Sequence, residues 1–83
     1  MFYVYLLQSD VDSSYYVGFT ENLEQRLKQH NNGGSKYTSR KIPWKLVYFE
    51  QFILKSEALK RELFLKKQRN KAFYQSLVET KDR

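Results

Sequence analysis

Two short segments near the start of the chain predict a β-hairpin, and this feature constrains the fold more than any other. Residues 2–8 are aromatic, aliphatic and β-branched, as strand residues usually are. Residues 9–14 are rich in Ser and Asp and predict a turn, and residues 15–20 form a second strand-like run. Because apolar residues occupy both faces of the first segment, we expect it to be the central strand of an antiparallel sheet.

Each predicted strand carries a tyrosine near its centre, Tyr5 in the first and Tyr16 in the second. Side chains alternate between the two faces of a strand. The two tyrosines therefore share a face only if Tyr5 lies opposite an even-numbered residue, such as Tyr16 or Gly18. The sequence leaves this register open. A glycine inside a strand, such as Gly18, indicates a bulge or the close approach of another group.

A helix is predicted directly after the hairpin. Asn22, followed by Gln25 three residues later, resembles a capping box, and the helix extends to about Asn31 before Gly33 and Gly34 end it. The predicted apolar stripe consists of Leu23, Leu27 and position 30.

Two polar side chains fall within this stripe or at its edge. Arg26 and His30 are one turn apart on the predicted helix and do not lie on its solvent side. A charged group in that position calls for an explanation, although a snorkelling arginine and a histidine near a helix C-terminus are also consistent with it.

The rest of the chain predicts a loop at residues 32–43, a strand at 44–52, a helix at 57–68 capped by Ser56, and a last helix that is capped by Asn70 and extends to about Thr80. The order β-β-α-β-α-α predicts an α+β fold, a small three-stranded antiparallel sheet flanked by helices. The apolar spacing predicts that five side chains of the two C-terminal helices face the core: Leu59, Leu63, Phe64, Phe73 and Leu77.

The length of 83 residues predicts one domain covering residues 1–83. There is no cysteine, so no disulfide or thiolate metal site holds the chain together, which suits a reducing cytoplasm and predicts a cytoplasmic location. No apolar run approaches the ~18 residues of a membrane span.

The net charge of +6 is unevenly distributed. Residues 1–35 carry two basic and four acidic groups, residues 36–54 four and one, and residues 55–83 nine and four. Basic charge concentrated in the second half predicts a polyanionic partner, with nucleic acid the natural choice. A solvated, lysine-rich helical face would produce the same pattern.

Five residues together would suit the hydrolysis of a phosphodiester. The reaction needs a general base, a cation for the phosphoryl oxygens and stabilisation of the leaving oxygen. Tyrosine can orient water, arginine binds phosphate bidentately, and one carboxylate can hold Mg²⁺ largely through waters. Taken singly, each residue also has an ordinary structural role as a core aromatic, a surface cation or a charge at a helix terminus. The candidates are Tyr5, Tyr16, Arg26, His30 and Glu57.

This set resembles the GIY-YIG nuclease superfamily in its order along the chain. Val4-Tyr5 is similar to the end of the first motif, and Tyr16-Val17-Gly18 to the second with Val for Ile. Tyr3 stands where the first motif has glycine, and Phe19 where some repair nucleases have lysine. The resemblance covers residues 2 to 75 and is closest to the small stand-alone bacterial members. It continues through Gly18-Phe19-Thr20, Asn22-Leu23, Arg26-Leu27, His30-Asn31, Lys36-Tyr37-Thr38, Trp44-Lys45-Leu46-Val47-Tyr48 and Ser56-Glu57-Ala58.

The resemblance implies a role for each candidate at one site on one face of the sheet. It implies that Tyr16 is the general base, that Tyr5 assists it and that Arg26 contacts the phosphate. It implies that His30 helps to activate water or to stabilise charge, and that Glu57 binds one divalent ion, Mg²⁺ or Mn²⁺.

The leading hypothesis is a metal-dependent endonuclease acting on DNA, branched or single-stranded DNA included, with a protein partner as one source of targeting. The alternative is a nucleic-acid-binding module with the same fold and little or no cleavage. A protein-interaction adaptor is a third, less favoured reading because of the basic charge. In either nucleic-acid reading, four cations of the second half would contact phosphates: Lys36, Arg40, Lys41 and Lys45.

Overall fold

The computed structural model describes residues 1–34 and 36–81, and residues 82 and 83 of the predicted domain lie outside the described part. The α+β class and the β-β-α-β-α-α order are confirmed. A short 3₁₀ turn at Ser39–Lys41 interrupts the loop before the third strand. The elements are β1 (Phe2–Ser9), β2 (Tyr15–Thr20), α1 (Leu23–Asn31), β3 (Trp44–Phe52), α2 (Lys55–Gln68) and α3 (Lys71–Lys81).

The sheet has the strand order β2-β1-β3, with both pairings antiparallel. The prediction that β1 is central is therefore confirmed. Tyr5 lies opposite Gly18 on β2 and opposite Phe49 on β3. Gly18 is an even-numbered position, so Tyr5 and Tyr16 lie on the same face of the sheet.

The two faces of β1 belong to two different hydrophobic clusters. Val4 and Leu6 point to the face that α2 and α3 cover. Tyr5 and Leu7 point to the opposite face, where α1 packs. The α1 face is completed by Trp44, Leu23 and Leu27, and the other face by Val17, Ala58, Leu65 and Tyr74.

The predicted inward face of α2 is wrong. Leu59, Leu63 and Phe64 are 42 %, 55 % and 46 % exposed, whereas Ala58 and Leu65 are fully buried against the sheet. Ala58 allows the helix axis to approach the sheet closely, and Leu65, two turns further along, lies on the same side of the helix. The buried side of α2 is therefore set by a small residue and not by the largest apolar ones.

The helix ends also differ in part from the prediction. α2 begins at Lys55, so Ser56 lies inside its first turn, and Leu54 occupies the N-cap position without a side-chain hydrogen bond. Asn70 does cap the last helix as predicted, since its Oδ1 accepts a hydrogen bond from the Phe73 N–H at 3.2 Å. Across residues 1–34 and 36–81, no helix is long and apolar enough to cross a membrane.

Candidate active site

The α1 face of the sheet holds a buried chain of hydrogen bonds centred on His30. The hydroxyl of Tyr5 lies 3.1 Å from His30 Nε2, and His30 Nδ1 lies 2.8 Å from Thr38 Oγ1. All three side chains are 2 % exposed or less. Both nitrogens of the imidazole therefore have polar partners, and the ring is fixed from both sides.

Arg26 joins this chain from the outer side. Its Nε–H donates to the Tyr5 hydroxyl at 3.4 Å, and its Nη1 donates to Gln29 Oε1 at 2.9 Å. The hydrogen bond to Tyr5 holds the pKa of Arg26 above its ordinary value, although partial burial acts in the opposite direction. The side chain of Tyr16 is a further, weaker hydrogen-bond partner of the guanidinium.

Tyr16 lies beside the same cluster but is only half-buried. Its ring centroid is 4.9 Å from that of His30 in an edge-to-face arrangement and 6.5 Å from that of Tyr5. Of the two tyrosines, Tyr16 is therefore the more accessible to a substrate.

Gly18 makes room for the end of the Tyr5 side chain. A Cβ at this position would overlap the Tyr5 Cζ and hydroxyl oxygen. The glycine in β2 thus marks a close approach, one of the two interpretations that the sequence allowed.

The cluster is electrically neutral at its centre near pH 7. Burial raises the pKa of Tyr5 to about 12, against the opposing effect of its hydrogen bond with Arg26. Burial, together with the positive charge of Arg26, lowers the pKa of His30 to about 4. Tyr5 is therefore protonated and His30 is unprotonated, with Arg26 as the neighbouring charge.

Two glutamates of α2 are candidates for the carboxylate of this site. Glu57 is exposed in the first turn of α2. Glu62 is spaced with Ala58 and Leu65 on the buried side of α2, and its side chain is only 19 % exposed. The negative charge of Glu62 adds a smaller contribution to the raised pKa of Tyr5. Five residues separate the two glutamates, so they project about 140° apart around the helix axis.

The four predicted phosphate-contacting cations fall into two pairs. Lys41 lies 3.0 Å from Asp12, and Lys45 lies 3.6 Å from Asp10, both in the turn between β1 and β2. A hydrogen bond from Ser14 and the contact with Lys41 lower the pKa of Asp12 to about 2. The other two, Lys36 and Arg40, are exposed and take part in none of the ion pairs found among residues 1–34 and 36–81.

Sequence reasoning gave no role to Thr38 or Glu62. Thr38 falls in a loop, and only the folded chain brings its hydroxyl to His30. A signal for Glu62 was present, because its spacing from Ala58 and Leu65 puts the three on one helical face. That signal was outweighed by the larger apolar residues Leu59 and Leu63.

A tyrosine–histidine–arginine cluster on a small three-stranded sheet points to a nuclease-like α+β domain. Residues 1–75 match the family model of the GIY-YIG catalytic domain, and the chain belongs to the GIY-YIG family. Membership of this family implies a nuclease-like function for the domain.

Several small bacterial proteins are similar to this chain over most of its length. A UPF0213 protein of Clostridium perfringens is 56% identical over 68 residues, which are 81% of this chain and 72% of the relative. A UPF0213 protein of Streptococcus pneumoniae is 40% identical over 98% of this chain and 82% of the relative. The solution NMR structure of a UPF0213 protein of Bacillus halodurans is 36% identical, with a TM-score of 0.60 over 98% of this chain and 86% of that one. These names state no activity or substrate.

Nuclease domains of this family are in general metal-dependent, and the donor set here restricts how an ion can be held. Within residues 1–34 and 36–81, no group of three or more His, Cys, Asp or Glu side chains could enclose a metal. Mg²⁺ commonly keeps several waters and binds through one or two carboxylates together with substrate phosphates. A single carboxylate such as Glu57 or Glu62 of α2 fits that mode of binding, whereas a site made wholly of protein ligands among the described residues does not.

Proposed function

We propose that this protein is a metal-dependent endonuclease that hydrolyses phosphodiester bonds in DNA. The observation that carries the proposal is the assembly of Tyr5, Tyr16, Arg26 and His30 into one cluster on one sheet face. A domain that only bound nucleic acid would not need a buried tyrosine–histidine pair beside its cation.

Arg26 binds the scissile phosphate in this proposal. Its guanidinium is held by Tyr5 and Gln29 before the substrate arrives, so little side-chain freedom is lost on binding. Planar N–H groups match two phosphate oxygens at once and offset the charge that develops on them.

Tyr16 orients the attacking water, and Tyr5 and His30 provide a route for its proton. As the water attacks phosphorus in line with the leaving oxygen, its proton passes to the Tyr5 oxygen. The proton of Tyr5 passes at the same time to His30 Nε2, 3.1 Å away. The new O–P bond forms, and the bond to the leaving oxygen breaks with its electron pair on that oxygen, which takes up a proton from solvent. His30 is left as an imidazolium.

Binding of a phosphate makes His30 a better base at the moment it is needed. The positive charge of Arg26 is one of the two causes that lower the pKa of His30. An anion on Arg26 offsets that charge, so the pKa of His30 rises when substrate is bound. Proton transfer from Tyr5 to His30 is therefore favoured only when the substrate phosphate is bound to Arg26.

Glu62 is the residue we assign to the divalent ion, Mg²⁺ or Mn²⁺. When bound, such an ion supplies Lewis-acid stabilisation of charge on the phosphoryl and leaving oxygens. Glu62 is the less exposed of the two glutamates, and its negative charge is the smallest of the causes that raise the pKa of Tyr5. Glu57 is retained only as the alternative that the test must exclude.

The two pairs of cations are expected to contribute differently to DNA binding. Replacing Lys36 and Arg40 by Ala should lower the slope of log affinity against log salt by about 1.8, or 0.9 per duplex phosphate contact. Replacing Lys41 and Lys45 should change it by less than about half as much. A lysine that leaves Asp10 or Asp12 for a phosphate exposes a carboxylate that takes up a counterion again.

Affinity for one duplex, measured by fluorescence anisotropy from low to high salt, distinguishes the two double variants. Both remove two positive charges, so each is the matched control for the other. Equal changes in slope would show that the ion pairs with Asp10 and Asp12 do not matter. A flat salt response of the wild type would contradict nucleic-acid binding itself.

The proposal is tested by incubating the protein with supercoiled, single-stranded and branched DNA in Mg²⁺, Mn²⁺ or EDTA. We expect cleavage of at least one substrate that requires the divalent ion. Salt-dependent binding without cleavage of any of the three substrates would favour the binding-module alternative. In that alternative, Lys36 and Arg40 make the main phosphate contacts.

A further inference from the structure

We propose that Thr38 is a positioning residue that fixes the tautomer of His30, with the proton on Nδ1 and the lone pair of Nε2 directed at Tyr5. The tautomer follows from hydrogen bonds alone. Its importance for the reaction rests on the proposed nuclease function.

Thr38 is held firmly although it lies in the loop between α1 and β3. Its side chain is completely buried, and its carbonyl oxygen accepts a hydrogen bond from Trp44 Nε1–H at 2.8 Å. The backbone of Trp44 is in turn bound to the side-chain amide of Asn31, at 2.6 Å through its N–H and at 3.0 Å through its carbonyl. The Thr38 hydroxyl therefore meets His30 in a fixed place, 2.8 Å from Nδ1.

The hydroxyls of Tyr5 and Thr38 together determine which nitrogen of His30 carries the proton. Tyr5 is protonated near neutral pH, and its oxygen already accepts the Nε–H of Arg26. Its own proton needs an acceptor in a site that is almost closed to water, and His30 Nε2 is 3.1 Å away. A neutral imidazole has one N–H and one lone pair. With Nε2 as the acceptor, Nδ1 carries the proton and donates it to Thr38 Oγ1.

The opposite tautomer would satisfy these groups less well. With a proton on Nε2, the Tyr5 oxygen would receive two N–H donors, one from His30 and one from Arg26. The Tyr5 proton would then lose its acceptor at His30. A buried donor without a partner is costly, so the arrangement with Nδ1–H is favoured.

The consequence for the reaction is that Thr38 keeps Nε2 unprotonated and therefore able to receive the proton of Tyr5. A histidine whose second nitrogen has lost its partner can adopt either tautomer. Without the Thr38 oxygen, part of the population would present Nε2–H to Tyr5 and could not accept a proton.

The test is ¹⁵N–¹H correlation NMR of the imidazole, which needs no assignment because His30 is the only histidine of the chain. At pH 7 we expect the wild type to show a protonated Nδ1 and an unprotonated Nε2. Thr38→Val, which has the same shape but no hydroxyl, should shift the signals toward Nε2–H, whereas Thr38→Ser should restore the wild-type pattern. Ser39→Ala removes the exposed hydroxyl next along the chain and should change nothing.

Two results would overturn the inference: a wild type protonated on Nε2, or a folded Thr38→Val variant with the wild-type tautomer. The first of these needs no variant, so the inference stays testable if Thr38→Val does not fold. Where cleavage is measurable, we expect Thr38→Val to lower its rate by about 10- to 100-fold, as is typical for partners that orient a functional histidine, and Thr38→Ser to recover most of it. An inactive wild type with the Nδ1–H tautomer would contradict the proposed function and leave the Thr38 assignment intact.

Discussion

Glu62→Gln is expected to reduce DNA cleavage at least about 100-fold, whereas Glu57→Gln should leave it within about two-fold of the wild type. Loss of one group that stabilises transition-state charge typically costs 10² to 10³ in rate. Glu62 is 19 % exposed and its charge contributes slightly to the raised pKa of Tyr5, whereas Glu57 is exposed in the first turn. The two substitutions make the same chemical change on the same helix, so each controls for the other.

Neither change should unfold the protein. Glu62 forms an ion pair with Lys66 at 3.1 Å, four residues along the helix, and such pairs contribute about 0.3–0.5 kcal/mol. Single-turnover cleavage in Mg²⁺ or Mn²⁺, run beside thermal unfolding of each variant, makes the comparison. An inactive Glu57→Gln with an active Glu62→Gln would restore the assignment that the sequence suggested.

Mild acid is expected to destabilise the wild type by about 3 kcal/mol through His30 alone. The pKa of His30 is about 4 in the folded protein, compared with 6.5 for the free side chain in the unfolded chain. Each pKa unit corresponds to 1.36 kcal/mol. Because the unfolded chain takes up the proton more readily, this contribution is fully present above pH 6.5. It is lost as the pH falls from 6.5 to about 4.

Urea unfolding of the wild type and of His30→Gln across this pH range isolates the effect. The variant gives up the hydrogen bonds to Tyr5 and Thr38 and should be less stable at pH 7.5, but its stability should depend less on pH. The carboxylates that titrate at low pH are common to both proteins and cancel in the comparison. Parallel pH profiles would mean that His30 titrates normally in the folded state.

The sheet and the α1 side of the site were predictable because local patterns determine them. Alternation within β1 and the spacing of Leu23, Leu27 and His30 specify which side chains can face one another. The register between β1 and β2 was not encoded locally, and it alone determines that Tyr5 and Tyr16 share a face. In the structure Tyr5 lies opposite Gly18, and this pairing fixes the register. It also requires a glycine in β2, because a Cβ at this position would overlap the Tyr5 side chain.

The inward face of α2 was predicted wrongly for a physical reason. Large apolar residues usually identify the buried side of a helix. In α2 the close approach to the sheet is made by Ala58, which leaves Leu59 and Leu63 exposed. Thr38 could not be placed because its position depends on long-range closure of the loop at Trp44.

The most direct test of the central claim is single-turnover nicking of supercoiled DNA by the wild type, Arg26→Met and Lys28→Met. Lys28 lies on the same helix, and among residues 1–34 and 36–81 its ion pair is with exposed Glu24 at 3.8 Å. Lys28→Met therefore removes an equal charge without removing a contact of Tyr5 or His30. We expect nicking by the wild type that EDTA stops, a comparable rate for Lys28→Met, and a loss of about 100-fold or more for Arg26→Met. Nicking that survives Arg26→Met, or that EDTA leaves unchanged, would contradict the central claim.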